Sequence, residues 1–429
     1  MSIFDVRHQD RAHRVIQRAL NCGRMPHAYL FAGPEGVGKE MLAMRLTKVL
    51  LCGSPNRRPM PQGVFPQSDD PPTLAEQGMG QPARTGGSGF RVQGSVGHED
   101  MPMQSRGHGT PDSALDACGR CEDCVLVDAG THPDLHLIYR QLNKQHPDST
   151  IRKQKALVLG VDIIRHFLID PAGMKPSRGR AKVFVVREAE RLNESAQNAL
   201  LKTLEEPPPD TFIVLLTEAL DRMLPTTRSR CQQVLFQSLP VDFVAEQVRA
   251  RRPEAEAVQV AYAARHAGGS LGAALRLIDD SLFGLKRAWG DQVVRLHSEP
   301  GLAPNDLARP FMEDAGTLGK CVSERDPEVS DTDASRVGLQ TLLSAVADFY
   351  LDALRRSTGA DVPLTNGDQP EVLDRLAALA DGSLRACLRH LSEADTNLSR
   401  NANIELTLEA MFIGLSRTRL TAAAGRCAS

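Results

Sequence analysis

Residues 27–32 (HAYLFA) form a short apolar run of strand length, and residues 41–51 carry helical spacing. Between them lies Gly33-Pro34-Glu35-Gly36-Val37-Gly38-Lys39-Glu40, a G-x4-G-K turn. A glycine turn that leaves a strand and opens a helix converges backbone N–H groups on one point. The helix N-terminus adds partial positive charge there, and Lys39 can reach the outer oxygens of a bound polyphosphate. Such a loop belongs to an α/β fold with a parallel sheet. The downstream pattern agrees: residues 134–138, 181–186 and 211–217 read as strands, apolar along their whole length, and alternate with helical stretches at 161–168 and 193–206. Strands of that kind are buried on both faces. Asn193 opens the second helical stretch, in which Ala196, Leu200, Leu201 and Leu204 share a face, and Pro207-Pro208-Pro209 stops it.

From about residue 241 onward strand signals cease, and the remaining periodic segments, 333–350, 372–391 and 406–415, are helical, the first capped by Asp333. Residues 300–331, rich in charge and proline, read as a loop insertion. Residues 53–117 hold 11 Gly, 9 Pro, 6 Ser and 6 Gln in 65 positions with almost no apolar periodicity, which predicts a disordered insert. The 429 residues therefore divide into an α/β domain over 1–236, a small helical domain over 237–292 and an all-helical domain over 293–429.

Lys plus Arg (51) nearly balance Asp plus Glu (53), which excludes a bulk-electrostatic polyanion binder but leaves local basic patches open. Aromatics at 4% argue against base-stacking platforms. The N-terminus lacks the apolar core of a secretory signal, and no later run approaches about 18 apolar residues, so a cytoplasmic protein with no membrane partner is expected.

Three departures and clusters carry the chemistry. Glu40 stands where a phosphate loop needs a Ser or Thr hydroxyl for Mg²⁺. At the end of the strand 181–186, where an Asp for Mg²⁺ and a water-orienting Glu would follow, the chain has Arg187 and Glu188. Both losses point to a degenerate hydrolysis site. Gly33, Gly36, Gly38 and Lys39 would then be a scaffold with weak or no ATP binding, useful nucleotide binding being the alternative. Cys52, Cys118, Cys121 and Cys124 (C-x65-C-x2-C-x2-C) offer four thiolates, the closed ligand set of structural Zn²⁺, with iron–sulfur ligation as the minority reading and His132 as an alternative fourth ligand to Cys52. Thr226-Thr227-Arg228-Ser229-Arg230-Cys231 places two arginines in a loop after the strand 211–217. There an arginine either pairs with Glu205 or Glu206 at a helix C-terminus or serves as an arginine finger for a neighbour's ATP.

Taken together, HAYLF leading into GPEGVGK, CGRCEDC followed by AGTHPD (129–134), NESAQNALLKTLEEPPPDT (193–211) and TRSRC (227–231) resemble the clamp-loader subunits of bacterial DNA polymerase III. The resemblance covers most of residues 20–236; beyond it only GSLGAAL (269–275) and NAN (401–403) match. It implies an AAA+ nucleotide-binding domain with an inserted zinc module, a helical lid, and a helical collar that joins five subunits. It also implies that Arg230 is the finger reaching the ATP of an adjacent motor subunit. With Glu40, Arg187 and Gly272 (where motor subunits carry a lid arginine), the pattern is that of the non-hydrolysing δ′ type. The implied partners are τ/γ-type motor subunits, a δ subunit, the sliding clamp and, through the complex, primed DNA; the implied setting is the polymerase holoenzyme in DNA replication. The alternatives are an ATP-hydrolysing τ/γ-type motor and a zinc-dependent nucleic-acid module, the latter opposed by the acidic residues Asp112, Asp116, Glu122, Asp123 and Asp128 around the cysteines. The 65-residue insert departs from the family.

Overall fold

The structure is a computed structural model that describes residues 2–59, 113–178, 180–299 and 302–426. Five strands form one parallel sheet: β1 (Ala28–Ala32), β4 (Leu135–Ile138), β5 (Lys182–Val186), β6 (Thr211–Thr217) and β7 (Gln232–Leu235), in the order β4-β5-β6-β1-β7. A separate two-stranded antiparallel ribbon joins β2 (Asn56–Pro59) to β3 (Ser113–Asp116). Alternation along each strand explains the uninterrupted apolar runs. Tyr29, Phe31, Val183, Val185, Val214 and Leu216 enter one core, shared with α1 (Asp10–Cys22) and α2 (Lys39–Leu51). Leu30, Phe184, Val186, Ile213 and Leu215 enter the other, shared with the helical segment 161–172 and α3 (Glu194–Glu205). Helix α3 starts as its sequence dictates, Asn193 accepting a hydrogen bond from the Ala196 N–H.

After β7 every described element is helical: α4 (Val241–Arg251), α5 (Ala257–His266), α6 (Leu271–Asp279), α7 (Leu282–Ser298), α8 (Asn305–Arg325), α9 (Asp331–Ser357), α10 (Pro370–Ala377), α11 (Asp381–Ser399) and α12 (Ile404–Arg426). The expected boundary between residues 292 and 293 falls inside α7. Val260 and Ala263 of α5 pack with the α/β core, whereas Tyr262 of the same helix packs with Leu282, Trp289 and the helical core that follows.

Three expectations need correction. Residues 300–331 are not a loop: α8 occupies 21 of them, burying Leu307, Phe311, Ala315 and Leu318 at spacings of four, four and three residues beneath a charged outer surface. Pro310 is carried near the start of this helix. The cap of α9 is Ser330, whose hydroxyl accepts from the Asp333 N–H, so Asp333 lies inside the helix it was expected to cap. The ends of the 53–117 insert are ordered as the β2–β3 ribbon, and the rest of that expectation lies outside the described residues. Helix α9 is long and apolar enough to span a membrane by length and composition, yet Leu339, Leu342, Leu343, Val346, Phe349 and Tyr350 are buried against the other helices.

The helical domain is fastened to the sheet by Arg140. Its Nε donates to Glu188 Oε2 (2.8 Å), its Nη1 to the Ala156 carbonyl (2.9 Å) and its Nη2 to Asp326 Oδ2 (2.7 Å), while Glu328 accepts from the Ala156 N–H (3.2 Å). Helices α8 and α9 cross at glycines: a Cβ built on Gly338 would lie 2.2 Å from the Ala315 carbonyl oxygen and 2.7 Å from the Gly319 nitrogen. Both are backbone atoms that cannot swing aside. Gly338→Ala should therefore lower stability by about 1–3 kcal/mol through overpacking. Gly284→Ala, with nothing within 4 Å in α7, should be neutral or stabilising by up to about 1 kcal/mol. Thermal melts of the two variants against the parent check this, and equal melting temperatures would contradict the packing argument.

Candidate functional site

Because both faces of the sheet are buried, its chemistry is confined to the two rims where strands end. At the carboxyl rim, β1 runs into the glycine turn, β4 into Tyr139, β5 into Arg187 and Glu188, and β6 into Glu218. The turn has the conformation of a phosphate loop, with Gly36 and Gly38 at φ of 67° and 102°. Lys39, however, folds back: its Nζ donates to the carbonyls of Gly33 (2.6 Å) and Pro34 (2.5 Å). Burial lowers its pKa, with the carboxylates of Glu218, Glu190 and Glu35 acting in the opposite sense.

Helix α6 closes over this loop. A Cβ on Gly36 would stand 2.3 Å from the Gly272 nitrogen, so the position where a lid arginine was expected is in backbone contact with the turn. One helical turn further, Arg276 forms a bidentate pair with Glu35, both contacts at 2.5 Å. Sequence reasoning missed Arg276; its position four residues beyond Gly272, on the same face of α6, was the available signal.

The two departures from a hydrolytic site meet: Arg187 Nη2 pairs with Glu40 Oε1. A guanidinium thus neutralises the carboxylate at the place where a hydroxyl and an Asp would have shared Mg²⁺. Glu188 does not help to build a metal site, since its carboxylate is taken by Arg140, and its backbone is held at a positive φ of 50°. The cleft, about 510 Å³, is lined by the carboxylates of Glu35, Glu40, Glu188, Glu190 and Glu218 against Lys39 and Arg187. Burial, together with Glu35, raises the pKa of Glu218. Three of these five carboxylates are paired with arginines, Glu35 with Arg276, Glu40 with Arg187 and Glu188 with Arg140.

The four cysteines expected as ligands are together. Their sulfurs lie within 4.8 Å of one another, Cys52–Cys121 at 3.8 Å and Cys118–Cys124 at 3.9 Å. A tetrahedron of thiolates about 2.3 Å from a central Zn²⁺ has edges of about 3.8 Å, so the set fits that ion. The Cys118 and Cys121 N–H groups donate to the sulfurs of Cys52 and Cys118, both at 3.3 Å, and a backbone hydrogen bond from Arg120 leads in pulling the Cys118 thiol down to about 6. His132 is outside the group. Its Nδ1 accepts from the Asp134 N–H, and its Nε2 faces Asp123 Oδ1 at 3.5 Å. Arg178, on Glu122 and Asp123, and Arg180, on the carbonyls of Cys52 and Gly53, hold the cluster against the sheet.

At the opposite, amino rim, Arg230 lies two residues before Gln232, the first residue of β7, which pairs with Tyr29. Its Nε donates to Glu205 Oε1 at 2.6 Å and its Nη1 to the Thr226 carbonyl at 3.0 Å. Four strand steps, about 13 Å, separate the level of Tyr29 from the glycine turn.

With this geometry in hand, residues 8–64 and 103–240 match a family model described as DNA polymerase III, delta subunit. The δ′ subunit of DNA polymerase III from Pseudomonas aeruginosa is 30% identical over 210 residues, 48% of this chain and 42% of its own length. The τ subunit from Escherichia coli is 28% identical over 286 residues, 65% of this chain and 32% of its own length. The chain is similar to DNA polymerase III clamp-loader subunits. It spans less than half the length of either of these two relatives. A Thermotoga maritima protein related to the γ subunit of DNA polymerase III superposes with a TM-score of 0.29 at 22% identity, covering 69% of this chain and 90% of that one.

The Glu40–Arg187 pair predicts a reciprocal repair. Glu40→Thr together with Arg187→Asp should create Mg²⁺-dependent binding of a fluorescent ATP analogue, whereas neither single change should, since Glu40→Thr leaves an unmatched guanidinium and Arg187→Asp leaves two adjacent carboxylates. Binding by Arg187→Asp alone at the level of the double variant would show that the pair does not replace the ion.

Proposed function

We propose that this chain is a δ′-type, non-hydrolysing AAA+ subunit of a cytoplasmic clamp loader. In this reading it has no catalytic site of its own and completes the ATP site of a neighbouring τ/γ-type motor with Arg230, within a five-subunit assembly that also contains δ. That assembly loads a sliding clamp on primed DNA for the polymerase holoenzyme. The observation that carries the reading is the Glu40–Arg187 ion pair, which engages with each other the two side chains that stand where a hydroxyl and an Asp for Mg²⁺ would be expected. Without Mg²⁺ the charge developing on a transferred phosphoryl group has nothing to neutralise it. Supporting it, Arg230 lies on the rim away from the chain's own glycine turn and so does not serve that turn.

In a reconstituted loader with clamp and primed DNA, Arg230→Ala should lower stimulated ATPase by roughly 10³-fold or more with assembly intact, and Lys39→Ala should change little. If Lys39→Ala were the more damaging, the two roles would be reversed. A second reading is favoured by the length of the match to the τ subunit: a motor in which Glu40 and Glu188 hold Mg²⁺. Against it, both carboxylates are already engaged by arginines. Vigorous ATP hydrolysis by the purified chain alone would establish this second reading.

Zn²⁺ at Cys52, Cys118, Cys121 and Cys124 would be structural, adding its binding free energy to folding. Cys121→Ser should release one equivalent of zinc and lower the melting temperature; unchanged metal content by atomic absorption would remove the assignment.

A further inference from the structure

We infer that Glu205 is a positioning residue for Arg230, fixing the guanidinium so that one edge stays open to a phosphate from another subunit. This inference rests on the trans-acting reading of Arg230. Glu205 is the last residue of α3 and is followed by Glu206. A carboxylate there faces the partial negative charge of the helix C-terminus and a like-charged neighbour, so it is at ease only beside a cation. That cation is Arg230.

The grip is three-sided. Glu205 takes the Nε–H at 2.6 Å and also pairs with Nη2, and the Thr226 carbonyl takes one N–H of Nη1 at 3.0 Å. A guanidinium carries five N–H groups in a rigid fork. These contacts leave one N–H on Nη2 unengaged and one on Nη1 held only by a long hydrogen bond to Ser229 Oγ, 3.5 Å, weak enough for a phosphate oxygen to displace. The two share the outer edge of the fork, the geometry that binds two oxygens of a phosphate. The side chain is 33% exposed, enough to present that edge to another molecule. The backbone beneath it is pinned on both sides: Thr227 is fully buried, and Cys231 is buried with its thiol pushed up to about 12 by desolvation. A flexible arginine is thereby held in one orientation before a neighbour arrives, which lowers the entropic cost of completing the neighbour's site.

The test uses the reconstituted loader with clamp and primed DNA. Glu205→Ala should lower the kcat of stimulated ATP hydrolysis roughly ten- to a hundredfold, with KM for ATP little changed and the chain's own melting temperature within about a degree, since the pair is surface-exposed. Glu205→Gln, which keeps one acceptor for Nε, should recover most of the loss. In an Arg230→Ala background Glu205→Ala should cost nothing further. Two results would overturn the inference: turnover at or above the parent level in Glu205→Ala, meaning that the carboxylate competes with phosphate, or an undiminished cost in the Arg230→Ala background. If Arg230→Ala itself left turnover unchanged, the trans-acting reading would fall and this inference with it. An impaired Arg230→Ala beside a normal Glu205→Ala would remove the inference alone.

Discussion

Burial of the sheet on both faces is the constraint from which the rest of the molecule follows. Once Tyr29 and Phe31 face one core and Leu30 faces the other, the inner strands of this sheet have no solvated face on which to mount polar chemistry, and only the edge strand β7 exposes side chains, Gln232 and Leu235. Every functional group is driven to a strand end. Chain direction then sorts the groups: Lys39, Glu40, Arg187, Glu188 and Glu218 follow their strands and collect at one rim, whereas Glu205 and Arg230 precede β6 and β7 and collect at the other. An arginine at the second rim has no route to the first through a packed sheet. The topology thus keeps Arg230 apart from the chain's own glycine turn.

At the first rim, three substitutions for a phosphate-handling site work together. Arg187 neutralises Glu40, Lys39 satisfies its ammonium on the carbonyls of its own turn, and Arg276 fastens the lid helix to Glu35. Glu40, Lys39 and Glu35 are thus each engaged by other groups of the protein. The backbone of the loop keeps its shape because α2 still needs its N-terminus placed at the end of β1, and the left-handed glycines still serve that turn. Retention of the loop is therefore compatible with loss of its ligand.

Much of this was legible in the sequence. Largely apolar strands alternating with helices announced a doubly covered parallel sheet, Asn193 announced its helix, and the cysteine spacing announced the cluster, which in the structure contains Cys52 and not His132. What escaped had physical reasons. Helix α8 hid beneath its charge and Pro310, because an apolar face of four residues is diluted by seventeen others. Ser330 and Asp333 are both good caps, and local sequence does not choose between them. The pairing of Glu40 with Arg187 spans 147 positions. Each reads alone as a loss, and only their proximity shows one compensating the other. Arg140, in a stretch that carries no motif, takes three partners from three segments and could not be anticipated.

The β2–β3 ribbon has one more implication. Asn56, four residues after Cys52, pairs with Asp116, two residues before Cys118, so the chain leaves the four-cysteine module and re-enters it through adjacent, hydrogen-bonded strands. Whatever lies between those strands, the cysteines experience the same clasp. A gene could lengthen or shorten that interval by dozens of codons without moving a sulfur atom, which makes the ribbon a natural port for a reporter domain or affinity tag.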